Sequence, residues 1–202
     1  MNSPRYSPAG LLVSYCGRRV MIDGGPGAEP AGRVDAWLLT DEQAELIAPL
    51  RRLAARYGVK VHAGAFTHRD LHIEPRPVAH TSHPTWGYLI CTPAGTAAWA
   101  PEFWTFPQWA SGVQVMFAEA AGWRRPIRFT GGVGGHMAAC DVAEQAARYG
   151  VARLVLAHIG RPALRAIDAG EQLTFGEWGV PGRTYLLSRQ HTPGHSPPDR
   201  QE

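Results

Sequence analysis

The 202-residue chain is short of cysteine and lysine and has no long apolar run. Its three cysteines, Cys16, Cys91 and Cys140, are too few and too scattered for a disulfide framework, and none forms a Cys-x-x-Cys pair. The first ten residues lack the apolar core of a secretory signal, and no apolar run approaches the ~18 residues of a transmembrane helix. These absences favour a cytoplasmic protein with reduced thiols and no membrane partner.

The charge of the chain gives little support for binding to nucleic acid. Lys60 is the only lysine, the formal net charge is +3, and the arginines are scattered along the sequence. Binding to a phosphate backbone calls for a dense basic surface. A nucleic-acid partner is therefore an alternative that the composition does not favour.

The composition is that of a globular chain with one polar end. Hydrophobic residues make up 45% and charged residues 18%, and 202 residues suffice to bury one full core. We predict a single domain over residues 1–187. Residues 188–202 are polar and proline-rich, which predicts a disordered tail that contains His191 and His195.

Short apolar runs alternate with helical patterns. Residues 11–22 indicate a hairpin, and residues 34–40 and 59–66 indicate strands on either side of a helix that begins near Leu46 and ends at Gly58. Further strands are predicted within residues 71–80, 85–92, 96–102, 113–120 and 151–160, and a further helix over residues 137–149. Strands and helices alternate in both halves around a strand-rich middle, which predicts an α/β layered architecture.

Side chains that can bind a metal stand where predicted strands end. His80 and Glu102 each close a strand, and His158 lies near the end of the last confident core strand. Layered α/β proteins build their sites where strands meet loops, and two imidazoles with one carboxylate can bind a divalent cation. A single strand-end histidine is more often a capped or hydrogen-bonded residue, so only the set of three favours a metal site.

Four segments follow one another in an order that a known family shares. RRVMIDGGPG (18–27) is similar to an early strand and turn, and VAHTSHPTWGYLI (78–90) to a ligand-bearing strand. VQVMFAEAAGW (113–123) is similar to a His-Glu-Ala strand, and the most specific match is GGHMAACDVAEQAARYGVARLVLAHIGRP (134–162). Together they resemble the metallo-β-lactamase-fold hydrolases, in particular the tRNA-processing and phosphodiesterase branch. The resemblance implies a four-layer αββα sandwich, in which helices flank two mixed β-sheets.

The motif by which this family is usually recognised is eroded here. Where the family has Thr-His-x-His-x-Asp-His, residues 40–46 read Thr-Asp-Glu-Gln-Ala-Glu-Leu. Leu46 cannot bind a metal, and Gln43 is a weak neutral ligand, whereas Asp41 and Glu45 can still coordinate a cation. The resemblance extends to a loosely similar erosion in the branch linked to pyrroloquinoline quinone biosynthesis, although that branch keeps the final Asp-His.

The resemblance implies metal ligands position by position. The matched ligands are His80, Glu102 and His158, and the acidic substitutes are Asp41 and Glu45. This oxygen-rich set predicts at most one tightly bound divalent cation (zinc, manganese or iron) and is compatible with none. The spacing His-Thr-Ser-His leaves open whether His80 or His83 faces the site, and we favour His80.

Two further residues match the catalytic apparatus of the family. His136 corresponds to an acid/base histidine, and Glu119 to its orienting partner. The resemblance implies a hydrolase with a mononuclear metal site that cleaves a phosphodiester or ester of a small or medium substrate through metal-bound water. The alternative is a non-catalytic binding or regulatory protein that has kept the fold and lost its metals. The sequence does not indicate an oligomeric state.

Two loops are each compatible with either a functional or a purely structural role. The aromatic stretch at residues 103–109 either forms a lid over the substrate or packs on its own core. The glycine-rich stretch at residues 131–135 either presents backbone amides to an anion at a helix N-terminus or serves as a mobile connector.

Overall fold

A computed structural model describes residues 5–188, over which thirteen strands and three helices form. The strands of the first half are β1 (Gly10–Tyr15), β2 (Arg18–Asp23), β3 (Ala36–Leu38), β4 (Val61–His62), β5 (Phe66–His68), β6 (Leu71–Val78), β7 (Thr85–Thr92) and β8 (Gly95–Ala100). Those of the second half are β9 (Val115–Ala120), β10 (Ile127–Arg128), β11 (Gly135–His136), β12 (Leu154–Ile159) and β13 (Glu177–Trp178). The helices are α1 (Ile47–Arg56), α2 (Ala139–Arg148) and α3 (Arg161–Asp168).

The strands form two mixed sheets and one small hairpin. The first sheet has the order β1-β2-β3-β4, with β1 and β2 antiparallel and the other pairs parallel. The second has the order β13-β12-β9-β8-β7-β6-β5, parallel from β13 to β8 and antiparallel from β8 to β5. The pair β10-β11 stands apart from both sheets. Because β8, β9 and β12 run parallel, their carboxyl ends meet at one edge of the second sheet.

Helices cover the outer face of each sheet. On the first sheet α1 buries Leu50 and Leu53 against Trp37, and on the second sheet α2 and α3 cover a core that includes Leu156. The inner faces of the two sheets bury a third group of side chains, among them Trp99. The order helix, sheet, sheet, helix is the four-layer αββα sandwich that the sequence analysis predicts, and this prediction is confirmed.

The prediction of one strand over residues 59–66 is wrong. The chain forms β4 at the edge of the first sheet and then β5 at the edge of the second, so this segment crosses between the sheets. The connection is Ala63–Gly64–Ala65, whose small side chains offer a sheet surface little to bury. Periodicity alone does not show which sheet a short strand joins.

The aromatic stretch at residues 103–109 packs on its own core. Phe103 and Phe106 are buried beside α2, and Phe106 stacks on Tyr149 with ring centroids 5.1 Å apart. The lid hypothesis does not apply to these two rings, because they face the interior of the protein.

Within residues 5–188, no helix combines the length and the apolarity needed to cross a membrane. Residues 189–202 of the predicted tail, including His191 and His195, lie outside the described residues.

We predict that the outer core of the second sheet carries much of the stability. Leu156→Ala, at a position without solvent exposure, should lower the free energy of unfolding by about 2–5 kcal/mol, because it removes buried methyl groups and leaves a cavity. Urea denaturation measures the loss. The control is Leu186→Ala, at a leucine that is 83% exposed, which should change stability by less than about 0.5 kcal/mol. Equal losses from the two variants would show that the packing has been misjudged.

Candidate metal centre

A cleft of about 630 Å³ opens at the edge where β2, β8 and β12 end. Its walls come from the N-terminal segment, the loops after β3, β6 and β8, and the β10-β11 hairpin. The sequence-predicted residues that line it are Asp41, Glu45, His80, Glu102, His136 and His158. Glu119 is fully buried and contacts two of them, His136 and His158. One cleft therefore contains or adjoins every residue that the sequence analysis assigns to the site.

The imidazole of His80 is held through one ring nitrogen. Its Nδ1 donates a hydrogen bond to the carbonyl oxygen of Gly135 (2.9 Å), and the amide of Gly135 donates to the carbonyl oxygen of His80 (2.9 Å). The ring is buried, and Nε2 lies 3.8 Å from Oε2 of Glu102. Because Nδ1 is engaged in this hydrogen bond, Nε2 is the ring nitrogen of His80 that is available to bind a ligand in the cleft.

Two glycines make this support possible. A Cβ atom on Gly134 would overlap the carbonyl oxygen of His80, and one on Gly135 would overlap that of Ile127. Both glycines also have positive φ, of +73° and +146°. The glycine-rich stretch therefore positions His80, whereas α2 begins only at Ala139, so the stretch does not form the N-terminus of that helix.

A β-bulge places His158 beside Glu119. The pairing of β12 with β9 shifts register between Leu156 and His158, so His158 stands opposite Glu119. Its Nε2 lies 3.5 Å from Oε1 of Glu102, and its Nδ1 lies 3.5 Å from Oε1 of Glu119. That Nδ1 is buried and makes no hydrogen bond, so the imidazole of His158 lies at ion-pair distance from two carboxyl groups, Glu102 in the cleft and Glu119 beneath it.

Glu119 is a buried carboxylate with several donors around it. Its Oε2 accepts from Nδ1 of His136 at 2.7 Å and from the amide of Phe103 at 3.3 Å, and its Oε1 accepts from the amide of Ala121 at 2.7 Å. The His136 ring lies 4.8 Å from the His80 ring and 5.3 Å from the His158 ring, measured between centroids. Glu119 thus fixes His136 between the other two imidazoles.

The buried charges stabilise one another. Burial opposes ionisation of Glu119, but the hydrogen bond from His136 and the proximity of His158 outweigh it and lower the pKa of Glu119 to about 2. Burial would likewise lower the pKa of His158, but the charges of Glu102 and Glu119 outweigh it and raise that pKa to about 9. The raised pKa favours the protonated form of His158, whose ring lies between Glu102 and Glu119.

Asp23 joins the two sheets at the floor of the cleft. It ends β2 with a positive φ of +52°, and its carboxylate accepts from Nε1 of Trp99 (2.7 Å) and from the amide (2.8 Å) and hydroxyl (2.9 Å) of Thr40. Burial raises the pKa of Asp23 to about 6, against the effect of these hydrogen bonds. Asp23 therefore holds Thr40, which follows β3 of the first sheet, close to Trp99 in β8 of the second sheet.

Solved structures show the same architecture. No protein-family model and no curated protein matches the chain. The protein YhfI from Bacillus subtilis, described as a metallo-β-lactamase fold protein, is 16% identical over 93% of this chain and 91% of its own, with a TM-score of 0.63. This chain has the metallo-β-lactamase fold. A diphosphatase from the PhnP family is 20% identical over 82% of this chain and 80% of its own, with a TM-score of 0.55. Zn²⁺-bound PqqB from Methylobacterium extorquens is 15% identical over 83% of this chain and 85% of its own, with a TM-score of 0.54.

Two residues of the segment 40–46, where the sequence analysis expects the family motif, are placed differently from the other candidate ligands. Asp41 is buried, its Oδ1 accepts from the amide of Gln43 (2.7 Å), and Nε2 of His83 lies 3.0 Å from the same oxygen. Glu45 is exposed at the rim of the cleft. Among residues 5–188, two groups bring three ligand atoms within 4.8 Å of one another; neither includes Asp41 or Glu45, and neither contains His80, Glu102 and His158 together. Their role as ligands stays a prediction, and His80 rather than His83 lines the cleft.

The remaining donors suit a divalent cation. The two groups are His80 with Glu102 and His136, and Glu119 with His136 and His158. A metal-binding histidine commonly directs its second nitrogen to a carbonyl or carboxylate, as the Nδ1 atoms of His80 and His158 do here. The imidazoles and the Glu102 carboxylate therefore match the chemistry of zinc, manganese or iron sites.

The sequence analysis did not identify two parts of the wall of the cleft. The ring of Phe129 stands edge-on to His80 and His136, with centroids 5.2 and 5.3 Å away, and residues 6–9 of the N-terminal segment also line the cleft. A phenylalanine beside a glycine-rich turn is a weak signal that could have been noticed. The N-terminal segment carries no signal in the sequence.

We predict that the metal-free protein loses stability as the pH rises from 6.5 to 9. Over this window the folded state keeps a proton on His158 that the unfolded chain releases, because the folded pKa is raised to about 9. The free energy of unfolding should fall by up to about 3 kcal/mol. Urea denaturation in EDTA measures it, and His158→Gln should remove this contribution.

His72→Gln is the matched control, at an exposed histidine of β6, and should keep the wild-type pH dependence. If His158→Gln also keeps it, the charge assigned to His158 is wrong.

Proposed function

We propose that the protein is a metal-dependent hydrolase with a mononuclear site, which cleaves a phosphodiester or ester bond in a small or medium substrate. The observation that carries the proposal is the position of Glu102, whose two carboxylate oxygens face Nε2 of His80 (3.8 Å) and Nε2 of His158 (3.5 Å). These three side chains would hold the metal. If bound by these residues, a divalent cation would supply Lewis-acid chemistry toward water and the substrate oxygen.

His136 is the residue placed to move protons. Its Nδ1 donates a hydrogen bond to Glu119, which leaves Nε2 as the ring nitrogen available on the side of the cleft. Nε2 can take a proton from a water near the substrate and return it to the leaving group. Glu119 does not reach the substrate and serves as a positioning residue, since it is fully buried beneath the ring.

The similar structures support this reading of the site. One is a diphosphatase and another contains zinc, so the metallo-β-lactamase fold accommodates both phosphorus chemistry and metal binding in proteins of comparable shape. The single-metal proposal rests on this chain alone, because Leu46 offers no ligand and Asp41 is already paired with His83.

The same features favour a second candidate function, a binding or regulatory protein without metal. In it, the hydrogen bonds of Asp41 and the imidazolium of His158 would take the place of the cations. Metal binding distinguishes the two candidates directly.

We predict that the protein loaded with zinc and then dialysed retains at most about one equivalent, measured by inductively coupled plasma mass spectrometry. His80→Ala and His158→Ala should each lose the bound zinc, because each removes a nitrogen ligand.

His72→Ala, on the exposed side of β6, should retain the zinc and is the control. Two tightly bound zinc ions would contradict the mononuclear site. No binding even at millimolar zinc or manganese would contradict the hydrolase.

We predict that Glu119→Gln lowers kcat for bis(p-nitrophenyl) phosphate by about 10- to 100-fold and changes KM little, because the amide no longer fixes the tautomer and orientation of His136. The dependence of kcat on pH should change as well. Glu144→Gln, at an exposed position on α2, serves as the control and should behave as wild type. An unchanged kcat and pH profile in Glu119→Gln would remove Glu119 from the catalytic proposal.

A further inference from the structure

A second, basic pocket lies next to the cleft. It has a volume of about 500 Å³, and its lining residues are Arg5, Arg161, Leu164, Arg165 and Asp168. Three guanidinium groups and one carboxylate leave two positive charges in excess. The proposed hydrolase does not use any of these residues.

Two stretches of the chain each contribute residues to both the pocket and the cleft. Arg161 begins α3 three residues after His158, so their Cα atoms are at most about 11 Å apart. On the other side, Arg5 is followed directly by Tyr6, which lines the cleft. Arg161 and Arg165 are four residues apart on α3 and therefore lie on the same face of the helix.

The charges of the pocket are only partly neutralised. Asp168 pairs with Arg5, whose Nη2 lies 2.7 Å from Oδ1. Arg161 and Arg165 form no ion pair with a carboxylate anywhere between residues 5 and 188. Two guanidinium groups beside the buried Leu164 are thus available to an anion from outside.

We propose that this pocket binds a phosphate group of the substrate, separate from the bond that is cleaved at the metal centre. The inference rests on the proposed function and narrows its substrate to a phosphodiester that carries a second phosphate. Guanidinium groups bind phosphate through paired, charge-assisted hydrogen bonds, and an excess of two positive charges matches a terminal phosphate dianion. A neutral ester would leave these charges without a partner.

The first experiment measures binding without catalysis. The metal-free protein in EDTA is titrated with inorganic phosphate, and binding is followed by the shifts of backbone amide resonances. We expect shifts around α3, and an affinity lowered about tenfold or more in the double variant Arg161→Ala/Arg165→Ala. Arg51→Ala/Arg52→Ala, at an exposed pair of arginines on α1, should bind like wild type. Equal loss in both arginine pairs, or no loss in either, overturns the proposal.

The second experiment links the pocket to the substrate. Thymidine 5′-(p-nitrophenyl phosphate) is compared with the same compound carrying a 3′-phosphate, using the zinc-loaded protein. We expect the 3′-phosphate to lower KM about tenfold in the wild type and in Arg51→Ala/Arg52→Ala, and to have no effect in Arg161→Ala/Arg165→Ala.

The two proposals fail in different ways. If neither compound is cleaved while the arginine-dependent binding of phosphate persists, the hydrolase is wrong and the phosphate site stands. If both are cleaved with equal KM and phosphate binding does not depend on Arg161 and Arg165, the phosphate site is wrong and the hydrolase stands.

Discussion

The candidate site depends on one buried carboxylate, that of Glu119. A carboxylate without solvent exposure is costly unless hydrogen bonds and opposite charges compensate for its lost hydration, and here two backbone amides and two histidines do so. The same contacts hold the rings of His136 and His158 in place. The groups that compensate for the burial of the Glu119 carboxylate are therefore also oriented by it. The bulge in β12 is part of this arrangement, because it brings His158 opposite Glu119.

Residues 41–46 make contacts of their own in the structure. Asp41 faces His83 and the amide of Gln43, while Leu46 adds an apolar side chain to the wall. The candidate metal ligands and the candidate acid/base histidine lie instead at the carboxyl ends of β8 and β12 and on the β10-β11 hairpin, which supply Glu102, His158 and His136. Internal contacts thus engage Asp41, whereas His80, Glu102 and His158 present donors that suit a cation.

Much of the fold and several site residues could be predicted from the sequence, because strand-end positions and segment order are local features. Periodicity located the strands that end near His80, Glu102 and His158. It did not separate β4 from β5, because sheet assignment depends on partners distant in sequence. It also gave no sign that the carbonyl of Gly135 holds His80, or that Arg161 and Arg165 share a pocket with Arg5, since these relations arise only from tertiary packing.

We propose above that His80, Glu102 and His158 bind a single cation. Anomalous diffraction at the zinc absorption edge, on crystals grown with zinc, tests it most directly. We expect one peak of anomalous density, from a zinc ion that is bound by Nε2 of His80, Nε2 of His158 and the carboxylate of Glu102. Two peaks about 3.5–4 Å apart, as in two-metal hydrolases, or a peak at Asp41 away from Glu102, would contradict it.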